Sequence, residues 1–164
     1  MCHIRGTALM ENKFMQTKEL THEVIARGII LHKEKVLLCK PVGKARSYLP
    51  GGHIDPGETG AEAVLRELVE ELGVRAEIKR FLGVAEFSYG EGEDRIDEIN
   101  LCYELRVAEW ADLEEPPAVP SKEGWIEFLW ASLDDLATQG FQPAILRAAI
   151  PQWLANSAPQ NIVN

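Results

Sequence analysis

Three glutamates, Glu67, Glu70 and Glu71, carry the residue type and spacing in this chain that most directly imply chemistry. At i, i+3 and i+4 they gather on one face of a helix. Carboxylates crowded in this way repel one another unless a cation compensates them. The stretch just before them, Gly51-Gly52-His53-Ile54-Asp55-Pro56-Gly57-Glu58, is a glycine-rich loop. Oxygen-only ligands beside such a turn suit a hard divalent ion, Mg2+ or Mn2+, with phosphate oxygens completing its shell. The expected chemistry is metal-assisted attack on a phosphate ester. The competing reading is a surface helix with a solvated glutamate face, and the register of the glycines, Glu58 and Arg66 argues against it.

The local signals for that helix are complete. Thr59 is placed to cap it, Glu62 three residues later completes a capping box, and Gly73 stands where a left-handed stop belongs. At about 100° per residue, Ala61, Leu65, Leu68 and Leu72 fall on one side. Arg66 can reach Glu70 one turn on and hold it through a planar fork.

Gly52, Glu58, Arg66-Glu67-Leu68, Glu70-Glu71 and Gly73-Val74 span 23 residues. At every fixed position this stretch resembles the Nudix box of the MutT-like hydrolases. The resemblance implies an α/β/α sandwich with a mixed sheet between helices, covering roughly residues 22 to 155. It also implies hydrolysis of a phosphoanhydride, in which a divalent ion polarises the phosphoryl oxygens and lowers the pKa of coordinated water. By similarity, Glu70, Glu71 and the Gly52 carbonyl are metal ligands, while Glu67 is a ligand or the general base. Glu58 either holds the loop against Arg66 or joins a multi-ion shell, and the structural role is favoured. Further acids crowd Glu86 to Glu98, with Glu98, at a strand edge, the candidate for an extra ligand or base.

Composition limits the partners. The 164 residues suit one domain with a real core, and 46% apolar with 26% charged content is ordinary for a globular protein. A net charge of −9 argues against a general nucleic-acid or anionic-membrane binder, since both need a positive surface field. It is compatible with a small nucleotide substrate whose phosphates are met locally by a cation. No apolar run approaches the ~18 residues of a membrane span, and the first residues lack the apolar core of a secretory signal. Cys2, Cys39 and Cys102 show no metal-like spacing, and Cys39 and Cys102 sit in apolar runs as buried free thiols would. A reducing cytoplasm fits.

The elements that must position the box follow from local patterns. Residues 1–20 show no period and read as an N-terminal arm. The domain is expected over 21–157, with a frayed tail over 158–164. Val24 to Leu31 and Val36 to Cys39 flank the polar turn His32-Lys33-Glu34-Lys35 and form a hairpin. Lys40, Lys44 and Arg46 are the basic cluster nearest the box, either a solvated loop or cations over bound phosphates. With Gly51, Lys40 and Arg46 are the substrate-binding candidates. After the helix come two short strands, Arg75 to Leu82 and Val84 to Tyr89, separated by Gly83, then strands over Glu98 to Val107 and Trp125 to Trp130. Ser132 to Leu136 is a helical turn, and Pro143 to Ala155 a closing helix interrupted at Pro151.

The favoured activity is a Mg2+-dependent pyrophosphohydrolase acting on a nucleoside diphosphate linked to a group X. A nucleoside-triphosphate pyrophosphohydrolase and a non-catalytic nucleotide-sensing module are the alternatives, and the intact box argues against the sensor. A prenyl-diphosphate isomerase on a similar fold would need a reactive cysteine. No segment resembles the signature of the NADH-cleaving branch. Tyr89, about fifteen residues past the box, leans towards dinucleoside polyphosphates rather than ADP-ribose, although an ordinary sheet tyrosine explains it equally. A homodimer could form through an exposed hairpin or the arm.

Overall fold

The apolar run after His22 forms the central strand of a mixed sheet, in a computed structural model that describes residues 22–163. The expected N-terminal arm and Cys2 lie outside the described residues. Strand β1 (His22–His32) turns back into β2 (Lys35–Pro41), with His32 opposite Lys35 and Lys33 at φ 53° in the turn. The short β3 (Gly51–His53) pairs antiparallel with β1 and sets Gly52 opposite Ala26. The box helix α1 (Gly60–Leu72) follows, then β4 (Glu77–Tyr89), β5 (Ile96–Arg106), β6 (Ile126–Ser132), α2 (Leu146–Ala155) and β7 (Gln160–Val163).

The strand order is β6-β2-β1-β5-β4-β7, with β3 alongside β1. β5 runs parallel to β1, and β7 parallel to β4, while the other pairs are antiparallel. Alternation along each strand gives the sheet two apolar faces. On one, Ala26, Ile30, Leu37 and Leu105 meet Ala63, Val64, Leu68 and Leu72 of α1. On the other, Ile29, Leu38, Leu82 and Cys102 meet Ile150 and Trp153 of α2. This is the α/β/α sandwich expected. Burial of a side chain such as Leu68 contributes about 1.5–3 kcal/mol.

Four expectations change. The apolar stripe of α1 is rotated: Gly60, Ala63, Val64, Leu68 and Leu72 are buried, whereas Ala61 and Leu65 are only partly so. The cause lies in the sheet, where Gly28 has no side chain and a Cβ there would meet Leu105 at 2.6 Å and Val64 at 3.3 Å. The two short runs after the box are one strand, β4, with register shifts at Ile78/Arg80 and Phe81/Gly83. Such bulges let the strand bend without ending. The tail does not fray but pairs with β4 from Gly83 to Glu86, and a Cβ on Gly83 would stand 1.9 Å from the Gln160 carbonyl oxygen. Finally, α2 runs through Pro151, which sits exposed between the buried Ile150 and Trp153 that hold the helix to the sheet. No described helix is long and apolar enough to cross a membrane.

Candidate active site

The sequence folds locally as its capping signals require. Thr59 accepts from the Glu62 N–H at 3.2 Å, and the Glu62 carboxylate accepts from the Thr59 N–H at 2.8 Å. Gly73 closes the helix at φ 73° and donates to the Val69 carbonyl at 3.0 Å. This fixes where α1 begins and ends.

Arg66 is the hub. Its Nε and Nη2 donate to the two oxygens of Glu58 at 2.9 and 3.0 Å, so the planar fork is spent on Glu58 and not, as expected, on Glu70. Nη1 donates to Glu67 at 2.8 Å and to Glu70 at 3.1 Å, and Nη2 also reaches the His53 carbonyl at 3.1 Å. The Arg66 bond, foremost, holds the Glu58 carboxyl below the ordinary carboxylate range. These bonds tie the loop at Glu58 to α1 through Arg66.

The three glutamates do not share one environment. Glu70 is exposed on the outer flank, Glu67 is half-buried against the loop, and Glu71 is turned inward with 6% of its surface exposed. Glu71 accepts from the Gly51 N–H at 3.3 Å. Burial pushes its carboxyl up to about 7; the Gly51 N–H and Arg27 oppose this, while Glu67 and Glu123 reinforce it. As placed, no three His, Cys, Asp or Glu side chains among the described residues form a closed metal cluster, because Glu67 and Glu70 are turned onto Arg66.

Two adjacent glycines have different duties. Gly51 has φ 128°, and a Cβ there would lie 2.1 Å from the Ala26 carbonyl oxygen. At Gly52 a Cβ would meet the Glu67 carboxylate at 2.4 Å. Gly52 thus leaves the space in which Glu67 sits against the loop.

Beside the box lies a cleft of about 320 Å³, bordered by Gly51, Gly52, Arg66, Glu67 and Glu71. Three further residues line it that the sequence reading missed: Arg27, Glu123 and Trp125. Arg27 donates through Nη1 to the carbonyls of Leu49 and Gly51 at 3.2 and 3.1 Å, bracing the loop from the sheet. A charge inside the apolar run Val24 to Leu31 was its visible signal. Glu123 and Trp125 arrive because the Lys122 N–H donates to the Glu71 carbonyl at 2.8 Å and the Lys122 stem lies over Gly73. Nothing local in the sequence marks that docking.

The remaining candidates separate. Glu98 is buried, accepts from Asn100 Nδ2 at 2.9 Å and stands 4.0 Å from Arg27. It faces a second cavity of about 340 Å³, walled by Tyr48, Phe87 and Tyr89. Arg46 lines that same cavity. Lys40 faces Glu127 of β6 at 3.9 Å. Cys39 and Cys102 are buried free thiols, each pushed up to about 12 by desolvation.

A family model described as the NUDIX domain matches residues 22–154. The chain belongs to the NUDIX family. Among its relatives, an ADP-ribose pyrophosphatase of Methanocaldococcus jannaschii is 38% identical over 87 residues, covering 51% of this chain and 50% of the relative. A putative 8-oxo-dGTP diphosphatase of Bacillus subtilis is 38% identical over 56 residues, 34% of this chain and 38% of the relative. This NUDIX chain therefore spans half or less of the length of these curated relatives. The NUDIX fold is shared with the MutT protein from Bacillus halodurans, with a TM-score of 0.62 at 19% identity over 86% of this chain and 88% of the other. A MutT protein from Methanosarcina mazei Go1 gives 0.61 at 20% identity over 84% and 96%.

Proposed function

We propose that this NUDIX protein is a Mg2+- or Mn2+-dependent pyrophosphohydrolase that cleaves a nucleoside diphosphate linked to a further group X. The observation that carries this is the cleft beside the box, whose lining brings Glu67, Glu71 and Glu123 together with Arg27 and Arg66. Glu71 is drawn towards neutrality by burial and by its two acidic neighbours. Clustered carboxylates are an all-oxygen donor set, which fits a hard divalent ion. The relatives named for ADP-ribose and 8-oxo-dGTP cleavage agree in reaction class, since both names describe phosphoanhydride hydrolysis.

In this reading Glu71 and Glu123 hold the ion, the Gly52 backbone borders it, and Glu70 stands one turn outside. The ion, when bound, neutralises phosphoryl charge and makes water a better nucleophile near neutral pH. Arg66 orients Glu67 by the 2.8 Å bond and is itself fixed by Glu58. Glu67 is the general-base candidate, with its carboxylate held against Gly52 in the cleft. Arg27 keeps the loop carbonyls turned inward. The aromatic cavity at Tyr48, Phe87 and Tyr89, with Arg46 at its wall, takes the nucleoside.

The test is a panel of nucleoside diphosphate derivatives and nucleoside triphosphates, incubated with Mg2+ or with excess chelator and scored for monophosphate or pyrophosphate. Mg2+-dependent release of a monophosphate from a diphosphate–X compound is expected. Pyrophosphate release from triphosphates alone would shift the assignment to the triphosphate-cleaving reading. Metal-dependent binding without turnover on any compound would favour the sensor.

A further inference from the structure

The cleft holds a residue that the chemistry above does not use. Trp125 is 61% exposed, an unusual state for the largest apolar side chain, and it lines the same cleft as Glu67 and Glu71. The chain has four tryptophans, and the other three are engaged. Trp153 is buried in the core on the inner face of α2, while Trp110 and Trp130 meet edge to face at 5.8 Å, with the Trp130 indole N–H donating to the Pro117 carbonyl at 2.8 Å.

Trp125 is also held in place. Its carbonyl accepts from the Val42 N–H at 2.9 Å, and the Lys122 N–H bonds the Glu71 carbonyl at 2.8 Å. Between them, Ser121 Oγ donates to the Glu123 carbonyl at 2.7 Å and accepts from the Glu123 N–H at 3.0 Å. The segment that displays the indole is therefore fixed to both α1 and the end of β2. An aromatic face presented from a rigid backbone binds at low entropic cost.

Its position in the sheet gives it a direction. Trp125 immediately precedes β6, at one end of the strand order, whereas Phe87 and Tyr89 lie on β4 on the far side of the central pair β1 and β5. The box cleft and the aromatic cavity meet at Arg27, which lines the first and stands 5.9 Å from the Tyr48 ring and 4.0 Å from Glu98 in the second. Aromatic surfaces thus flank the carboxylates of the box cleft on both sides.

We propose that Trp125 is a specificity-determining platform that stacks on a planar ring carried by X, so that the enzyme favours substrates with a flat ring at each end of the pyrophosphate. This rests on the hydrolase reading above and names its substrate class. Stacking of a base on an aromatic side chain is tolerant of base identity, so the platform selects for a ring and not for one base.

The experiment compares diadenosine pyrophosphate, whose X is a nucleoside, with ADP-glucose, whose X is a sugar, for wild type, Trp125→Ala and Trp125→Phe with Mg2+. The readouts are the ratio of the two kcat/KM values and the ratio of the two Kd values by calorimetry. Wild type should prefer the ring-bearing compound. Trp125→Ala should reduce that preference about tenfold, mainly through KM, and Trp125→Phe should restore most of it. An unchanged ratio in Trp125→Ala, or Phe no better than Ala, overturns the platform. If wild type turns over neither compound, the hydrolase reading fails, and the Kd ratio still decides whether Trp125 recognises a ring.

Discussion

Arg66 grips Glu58 with two parallel hydrogen bonds, of 2.9 and 3.0 Å, across eight residues of sequence. The arginine is thus fixed from the loop side while its remaining nitrogen serves Glu67 and Glu70. A lysine offers a point charge and no fork. Arg66→Lys should lower kcat/KM by about 10–100-fold, the usual cost of losing an outer orienting partner, with little change in melting temperature. Near-normal turnover would reduce Arg66 to a surface ion pair.

The glycine pair predicts two distinct failures. Gly51→Ala forces a Cβ onto a backbone oxygen at a left-handed φ and should cost about 1–3 kcal/mol of stability. Gly52→Ala meets only the movable Glu67 carboxylate, so the fold should hold while activity collapses. Urea melts beside initial rates separate them. Equal destabilisation of both variants would contradict the division.

The carboxylates should also separate by duty. Glu67→Gln, if it removes the base, should bind substrate normally and turn it over about 10²–10⁴-fold more slowly. Glu71→Gln should demand more Mg2+ for the same rate and blunt the rise in melting temperature that Mg2+ gives. Glu70→Gln should be the mildest, since its carboxylate is exposed and bound only once by Arg66. Equal loss of metal binding in Glu67→Gln and Glu71→Gln would move the base elsewhere.

The loss of stability on acidification should depend in part on Glu104. Burial alone would raise this carboxyl, but hydrogen bonds from Lys79 and from Arg80 at 2.7 Å outweigh it and hold it below the ordinary value of 4.5. The unfolded chain therefore takes up the proton at higher pH than the folded one does. The stabilisation is complete above the unfolded value and fades as pH falls through the depressed one. The melting temperatures of wild type and Glu104→Gln should differ at pH 7 and draw together as pH falls below the ordinary carboxylate range. A constant gap from pH 7 to pH 3 would assign the effect to packing.

The buried thiols give a negative control on mechanism. With Cys39 and Cys102 pushed up to about 12, neither is a nucleophile at neutral pH. A thiol-blocking reagent at pH 7.5 should leave both unmodified in the folded protein, as read by peptide mass mapping that separates them from Cys2, and leave turnover unaffected. Rapid inactivation with modification of either would revive the isomerase reading.

The box helix was legible in the sequence because its determinants are local. The cap at Thr59 and Glu62, the stop at Gly73 and the spacing of Glu67, Glu70 and Glu71 all act within a few residues, and the hairpin around Lys33 is of the same kind. Which side of that helix faces inward was settled elsewhere, by the missing side chain of Gly28 on β1, and this is what buries Glu71 while leaving Glu70 outside. The fork of Arg66 went to Glu58 because the loop folds back over α1, a contact that i+4 spacing does not encode. Glu123 and Trp125 reached the cleft only through the docking of Lys122 against Glu71 and Gly73, some 50 residues apart in sequence. The chemistry-bearing motif was written in one continuous stretch, whereas the walls around it were assembled from distant strands, whose contacts depend on tertiary packing and leave no local periodicity to read.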